Sequence, residues 1–281
     1  MWAQYEFDCA AFCRGRLGLE MADPRIERFL TSDSPELLAL FSRQVGKTTG
    51  AAGKVSHQAI FKPGTLSLIV SATQRQAAIL QRRVLGFLRA MNRPEQWKEI
   101  PGREAEIPED IEEGAKLVRC SSMSLELGNG SEVVSAPASA DTVRGYAPHL
   151  IVIDEAAYTP DDVYFALRPM RIRTKAQLIA MSSAGAQEGF FFEAWTKEDG
   201  WEKIEIRADE CPWVTADELE KERRRLPERI YQREYENRFM EKTGAVLSPE
   251  VIADMFSDDV VPLGKAIHAK GDILDDDVEA L

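Results

Sequence analysis

At 281 residues with 44% hydrophobic content, the chain has apolar surface enough for one large α/β domain with an appendage. Its longest apolar runs, such as 150–153 and 178–181, fall far short of the roughly 20 residues that a bilayer span needs, which excludes a membrane helix. The formal net charge of −12 opposes a surface coated for nucleic acid, although acids gather at 104–113 and 272–279 and bases at 168–175 and 221–233, so local patches can differ from the total.

In chain order, residues 1–18 carry acids ahead of their apolar part and lack the basic start and small-residue cleavage site of a secretion signal, so an intracellular protein is expected. Cys9, Cys13, Cys120 and Cys211 show no CxxC spacing, and with three histidines in the chain they read as reduced thiols in preference to a zinc site. ELLALFS (36–42) predicts a strand and Lys47 opens a helix; SLIVSA (67–72) predicts a second strand, followed by a helix over 73–91. Such alternation argues a parallel sheet of βα units. The acidic stretch 99–114 reads as a surface loop, and Asn129-Gly130 within 117–138 predicts a hairpin between two strands. LIVIDE (150–155) and QLIAMSSA (177–184) read as strands buried on both faces. The charged segment from Thr215 to about Met240 is helical and covers or follows the sheet edge, and 256–281 reads as a linker or acidic tail.

Three of these places carry chemistry. Ser42-Arg43-Gln44-Val45-Gly46-Lys47-Thr48-Thr49 ends a strand and opens a helix, so its backbone N–H groups and the helix dipole are placed to cradle phosphates. In such a loop Lys47 contacts the β- and γ-phosphates and Thr48 holds Mg²⁺. Phe41 stands where the usual pattern begins with Gly, and the alternative is an ordinary turn with one exposed lysine. The apolar strand 150–153 ends in Asp154 and Glu155, which suits a Walker B: Asp154 for the metal, Glu155 to polarise an attacking water. The alternative there is a solvated turn. Ser182, Ser183 and Ala184 end the next buried strand, where small hydroxyl residues can sense a γ-phosphate; in isolation they read as packing. A glutamate directly after the Walker B aspartate implies the P-loop branch with an additional strand between the two motif strands. SLIVSA and its helix supply such a unit, which favours motor ATPases over kinases or small GTPases.

SRQVGKTT, LIVIDEAAY and SSAGAQEGFFFEAW, in that order, resemble the motif set of phage terminase large subunits over roughly 23–255. In that family the loop often lacks the leading Gly, which accounts for Phe41. REYENRFMEKTGAVLSPEVI (233–252) is similar to the segment that closes the family's ATPase domain. The resemblance implies an α/β P-loop NTPase with a central, mainly parallel sheet flanked by helices, of the catalytic-glutamate type, with a helical lid at about 209–255.

It also implies ATP and Mg²⁺ as ligands, Glu155 and the loop arginine Arg43 as catalytic groups, Thr48 and Asp154 for the metal, and Ser182, Ser183 and Ala184 for coupling. Arg144 in Thr142-Val143-Arg144-Gly145 matches an arginine inserted into a neighbouring subunit's site; a structural salt bridge is its alternative. Where the family shows an adenine-reading Trp-Gln pair, this chain has Ile26 and Glu27 in the stretch 23–30. The family's nuclease continues for some distance beyond the point where this sequence stops. Asp272, Asp275, Asp276 and Asp277 therefore read as a solvated tail, and no nuclease activity is expected of the chain.

The resulting expectation is ATP hydrolysis driving double-stranded DNA into a capsid. The partners implied are a homo-oligomeric ring on the capsid portal, the small terminase subunit and a separately encoded nuclease domain, in the cytoplasm of a bacterial host and outside the mature virion. Arg168, Arg171, Arg173 and Lys175 are the candidate DNA contacts, or else a solvated helix face. A helicase-like or other nucleic-acid-dependent ATPase is the alternative enzyme, and a non-hydrolysing nucleotide-binding scaffold the alternative of another class.

Overall fold

The computed structural model describes residues 2–19, 23–91 and 109–241. The acidic stretch up to 108, the segment 242–255 and the tail 256–281, with Asp272, Asp275, Asp276 and Asp277, lie outside the described residues. Eight strands form one sheet in the order β3-β4-β5-β2-β6-β7-β1-β8. They are β1 (Glu36–Phe41), β2 (Leu66–Ser71), β3 (Leu117–Cys120), β4 (Ser124–Leu127), β5 (Glu132–Pro137), β6 (Leu150–Asp154), β7 (Gln177–Ser182) and β8 (Glu202–Ile206). The six strands from β5 to β8 across the sheet are parallel, and β3 and β4 join through antiparallel pairings.

Strand periodicity divides the core in two. Leu37, Ala39 and Phe41 of β1, with Val152 and Ile179, pack beneath one helical layer: α2 (Cys9–Gly15), α3 (Pro24–Thr31), α4 (Lys47–Phe61) and α5 (Gln74–Met91). Leu38 and Leu40, with Ile151, Ile153, Leu178 and Ala180, pack beneath α8 (Asp161–Thr174) and α9 (Gly189–Thr196) on the other face. Because alternate side chains of a strand point to opposite faces, a central strand covered on both sides must be apolar throughout, and β6 is buried at every position.

Three expectations are corrected. The strand inserted between β1 and β6 in the sheet is β7; β2, the expected unit, pairs on the far side of β6. The acidic stretch does not end as a loop, because Glu109–Ala115 forms helix α6, with Glu109, Asp110 and Glu112 in the first turn, where the helix dipole favours acids. The run 117–138 makes three strands, not two. Its Asn129-Gly130 does form the predicted turn: Gly130 has φ 79°, and the Asn129 amide donates to the carbonyls of Ala59 and Ile60, capping α4.

The charged segment after Thr215 is two helices, α10 (Ala216–Arg225) and α11 (Glu228–Tyr235), parted at Leu226-Pro227. Asn237, just past α11, donates to the carbonyls of Leu40 (3.1 Å) and Ile206 (3.0 Å), tying the end of this helical pair to the tips of β1 and β8. Among the described residues no helix is long and apolar enough to cross a membrane.

Candidate functional site

Parallel strands bring their carboxyl ends to one edge, where open α/β sheets bind ligands. Register places Leu40 beside Ser182 and Asp154 beside Met181, so the residues leaving β1, β6 and β7 emerge together. From β1 the chain turns through Gln44 (φ 64°) and Gly46 (φ 90°) into α4, a left-handed pair of positions that aims successive N–H groups into a concavity suited to anions. Gly46 is required, since other side chains are strained at that φ. Phe41 needs no glycine's freedom: it is a core residue at the end of β1, its ring 5.6 Å from that of Phe29.

The loop opens into a cleft of about 720 Å³ lined by Arg43, Gln44, Lys47, Thr48, Thr49 and Glu155, among others. Lys47 Nζ is 2.8 Å from Glu155 Oε1 and 3.7 Å from Asp154 Oδ1. Glu155 itself has φ 56°, uncommon for a residue with a side chain and a conformation that clusters at functional sites. Asp154 lies deeper, 6% exposed, and accepts from the Glu155 N–H at 3.1 Å. Burial pushes its carboxyl up to about 6, with Lys47 pulling the other way.

Ser182, fully buried, donates to Glu155 Oε2 at 3.4 Å, and Ser183 lines the cleft. Ala184 is buried, and its carbonyl accepts from the Tyr158 hydroxyl at 3.2 Å. Ser42 is buried with no partner for its hydroxyl among the described residues, and Val45 is a core anchor that contributes only backbone to the loop. Arg144 is not gathered here: it follows α7 (Ala140–Val143), pairs with Asp141 at 3.3 Å, and its side chain is 67% exposed.

Sequence reasoning missed the groups that come from a distance. Arg83 of α5 bonds the Thr49 hydroxyl, and Gln76 and Ile79 line the same wall. Glu234 of α11 is buried, and its two oxygens hold two arginines: Arg43 on one side, Arg233 on the other at 2.8 Å. The Glu234 carboxylate beside Arg43 holds that guanidinium's proton more firmly than usual. The one local signal for Glu234 was an acid on the buried face of a helix, between Tyr231 and Tyr235.

Of the expected DNA contacts, two are paired within the fold. Arg171 pairs with Glu36 and donates to the carbonyls of Ala176 (3.0 Å) and Pro35 (2.7 Å); Arg168 bonds Tyr164 and Glu36. Arg173 and Lys175 are exposed. The 221–233 cluster is largely neutralised where it stands, with Lys221 on Asp217, Arg224 on Glu220, Arg225 on Glu222 and Arg223 on Glu228.

Comparison with known proteins agrees with the fold. Residues 38–252 match the sequence model described as the terminase large subunit, T4likevirus-type, N-terminal. Among solved structures, the chain is similar to the large terminase ATPase domain of Thermus phage P74-26, with 19% identity and a TM-score of 0.60, over 81% of this chain and 97% of that one. It is similar also to the HK97 bacteriophage large terminase, with 16% identity and a TM-score of 0.62, over 83% of this chain and 55% of that one. A third likeness is to the large terminase of a thermophilic bacteriophage in complex with ATP-γ-S, with 14% identity and a TM-score of 0.52, over 84% of this chain and 52% of that one. At such identities the solved structures speak for the fold, and the chain spans about half the length of the last two.

Proposed function

Because this chain belongs to the phage large-terminase family, through that family's N-terminal part, we propose that it hydrolyses ATP at the Lys47 cleft to drive double-stranded DNA into a viral capsid. The observation that carries the reading is the meeting of Lys47 with the acid pair at one sheet edge, 2.8 Å from Glu155 and 3.7 Å from Asp154. An ammonium held between two carboxylates is poised to exchange one of them for a phosphate oxygen. The loop's N–H groups take the remaining phosphate charge, and Lys47 bridges the β- and γ-phosphates.

Glu155, released from Lys47, orients a water in line with the γ-phosphorus and accepts its proton as the bond to the β-phosphate oxygen breaks, leaving ADP and phosphate. The buried carboxylate of Asp154 and the hydroxyl of Thr48, which lines the cleft, are hard-oxygen donors that would suit Mg²⁺. When held there, the ion would supply positive charge to offset that of the phosphates. Ser182, on the other oxygen of Glu155, and the Tyr158–Ala184 link join the cleft to β7, a route by which the state of the phosphate reaches the rest of the fold.

Arg144, exposed and outside the cleft, suits a role in a neighbour's site within a ring docked on a capsid portal, where a guanidinium on the γ-phosphate is worth about 10³–10⁵ in rate. The small terminase subunit and a nuclease domain complete the expected partners, in a bacterial host's cytoplasm.

The test is ATP turnover measured against protein concentration with duplex DNA present. Glu155→Ala and Arg144→Ala should each lose at least about 10²-fold in rate, and a mixture of the two should recover part of it by pairing an intact Glu155 with a neighbour's intact Arg144. Wild type without turnover in the presence of DNA and portal would leave a nucleotide-binding scaffold, and strand separation would make the protein a helicase.

A further inference from the structure

The resemblance to terminases leaves the nucleoside end of the ligand without a reader. In the stretch where the family places its adenine-reading pair, Ile26 is buried with its Cδ1 turned to Gly46, and the Glu27 carboxylate is held by Arg14 at 3.1 Å. Neither offers a group to a base. Arg25, just before them, is engaged with Asp23 and Glu210.

On the other side of the phosphate loop lies a second cleft, of about 430 Å³, and Arg43 and Gln44 line both. Small-molecule sites are of this size, roughly 300–1,000 Å³. It is lined by Trp213, Val214 and Leu219, by Tyr235 of α11, and by the charged Glu222 and Arg225. Trp213 is 41% exposed and is fixed rather than loose. Its indole Nε1 donates to the Gln44 carbonyl at 3.1 Å, the Val214 N–H donates to Cys211, and Thr215 caps α10. Tyr235 is held by stacking on Tyr231, ring centroids 5.1 Å apart and 19° from parallel. Two braced aromatic rings beside a phosphate loop, reached from the phosphate cleft across Arg43 and Gln44, form a platform for a flat heterocycle.

We propose that the cleft of Trp213 and Tyr235 binds the base and ribose of the nucleoside triphosphate whose phosphates occupy the Lys47 cleft; this rests on the ATPase reading above. Stacking on Trp213 supplies the affinity, and the charged Glu222 and Arg225 meet the sugar. The nucleotide thereby spans the loop, its base held by the helical pair α10–α11 and its phosphates by the sheet edge.

The experiment is calorimetric titration of the full chain, with Mg²⁺, by ATP and separately by inorganic tripolyphosphate, which lacks base and ribose. Trp213→Ala should weaken ATP binding about tenfold, equivalent to about 1.4 kcal/mol, and leave tripolyphosphate binding unchanged, whereas Trp213→Phe, which keeps a ring, should hold ATP within about threefold of wild type. ATP should also quench tryptophan emission in wild type more than in Trp213→Phe, and tripolyphosphate in neither. Equal loss of ATP and tripolyphosphate binding in Trp213→Ala would show that the indole only braces Gln44, and unchanged ATP binding would show that the base lies elsewhere; either overturns the proposal with the ATPase reading intact. Wild type that binds neither ligand overturns both.

Discussion

Replacing Glu234 by Gln tests whether α11 is latched to the phosphate loop. The carboxylate is buried, with side-chain exposure of 6%, and holds Arg43 through one oxygen and Arg233 through the other, while its own carbonyl accepts from the Arg43 N–H at 3.0 Å. Gln keeps the shape and one acceptor, but turns an amide N–H₂ toward one of the guanidiniums. A hydrogen bond to a charged group contributes about 1.5–3 kcal/mol. The Arg43 side chain is 67% exposed, so solvent screens that contact, and the net loss should be about 1–2 kcal/mol. For a domain of this size that lowers Tm by about 2–8 °C, with no nucleotide present.

The second half of the prediction has the opposite sign. In wild type a phosphate must compete with Glu234 for Arg43; in Glu234→Gln it need not, so a saturating, equal concentration of ATP should raise Tm more in the variant than in wild type. The assay is paired thermal unfolding with and without ATP. An unchanged Tm without nucleotide, or a smaller ATP-induced rise in the variant, would refute the latch.

Acid should weaken the fold through His57. Its ring is buried against Phe12 and Phe61 with Nε2 2.7 Å from the Tyr5 carbonyl, and burial pushes its pKa from 6.5 down to about 4. A depressed histidine leaves stability untouched above 6.5 and lowers it as pH falls toward 4, because the unfolded chain takes up the proton first; the full effect is about 3 kcal/mol. His57→Gln should flatten the dependence of Tm on pH across that window, whatever it costs at neutral pH, and an unchanged slope would rule the histidine out. Arg171→Ala should lower Tm with DNA-stimulated turnover preserved per folded molecule, since Arg171 ties the end of α8 to the start of β1. Arg173→Ala, at an exposed position, should leave Tm alone, and a loss of DNA stimulation in Arg171→Ala beyond that in Arg173→Ala would restore Arg171 as a DNA contact.

The parts of the fold legible in sequence are those whose environment is uniform along the segment. β6 and β7 are covered on both faces, so every residue but Gln177 reports burial; α4 and the loop before it are announced by glycine, lysine and threonine at fixed offsets. β8 stayed hidden because it is an edge strand: Glu202, Lys203 and Glu205 interrupt it, and its two well-buried residues, Ile204 and Ile206, are too few to set a period. The site divides the same way. Lys47, Asp154 and Glu155 each sit in a local pattern, whereas Glu234 reaches Arg43 across 191 residues of sequence and Arg83 reaches Thr49 across 34, and nothing local to a helix records which distant loop it will cover.

Charge shows most clearly where counting misleads and pairing informs. The bases of 221–225 look like a patch for DNA until the acids at 217, 220 and 222 are set three or four residues before them, the spacing at which helical neighbours meet. A negative total and a basic cluster were therefore both poor guides. On the ATPase reading proposed above, the cations that serve phosphate chemistry are those whose local acids are themselves part of the cleft: Lys47 between Asp154 and Glu155, and Arg43 on Glu234. In each case the carboxylate that neutralises the base is the group a phosphate must displace. On that same reading, binding of the nucleotide couples release of Glu155 for catalysis to release of Arg43 from Glu234 of α11.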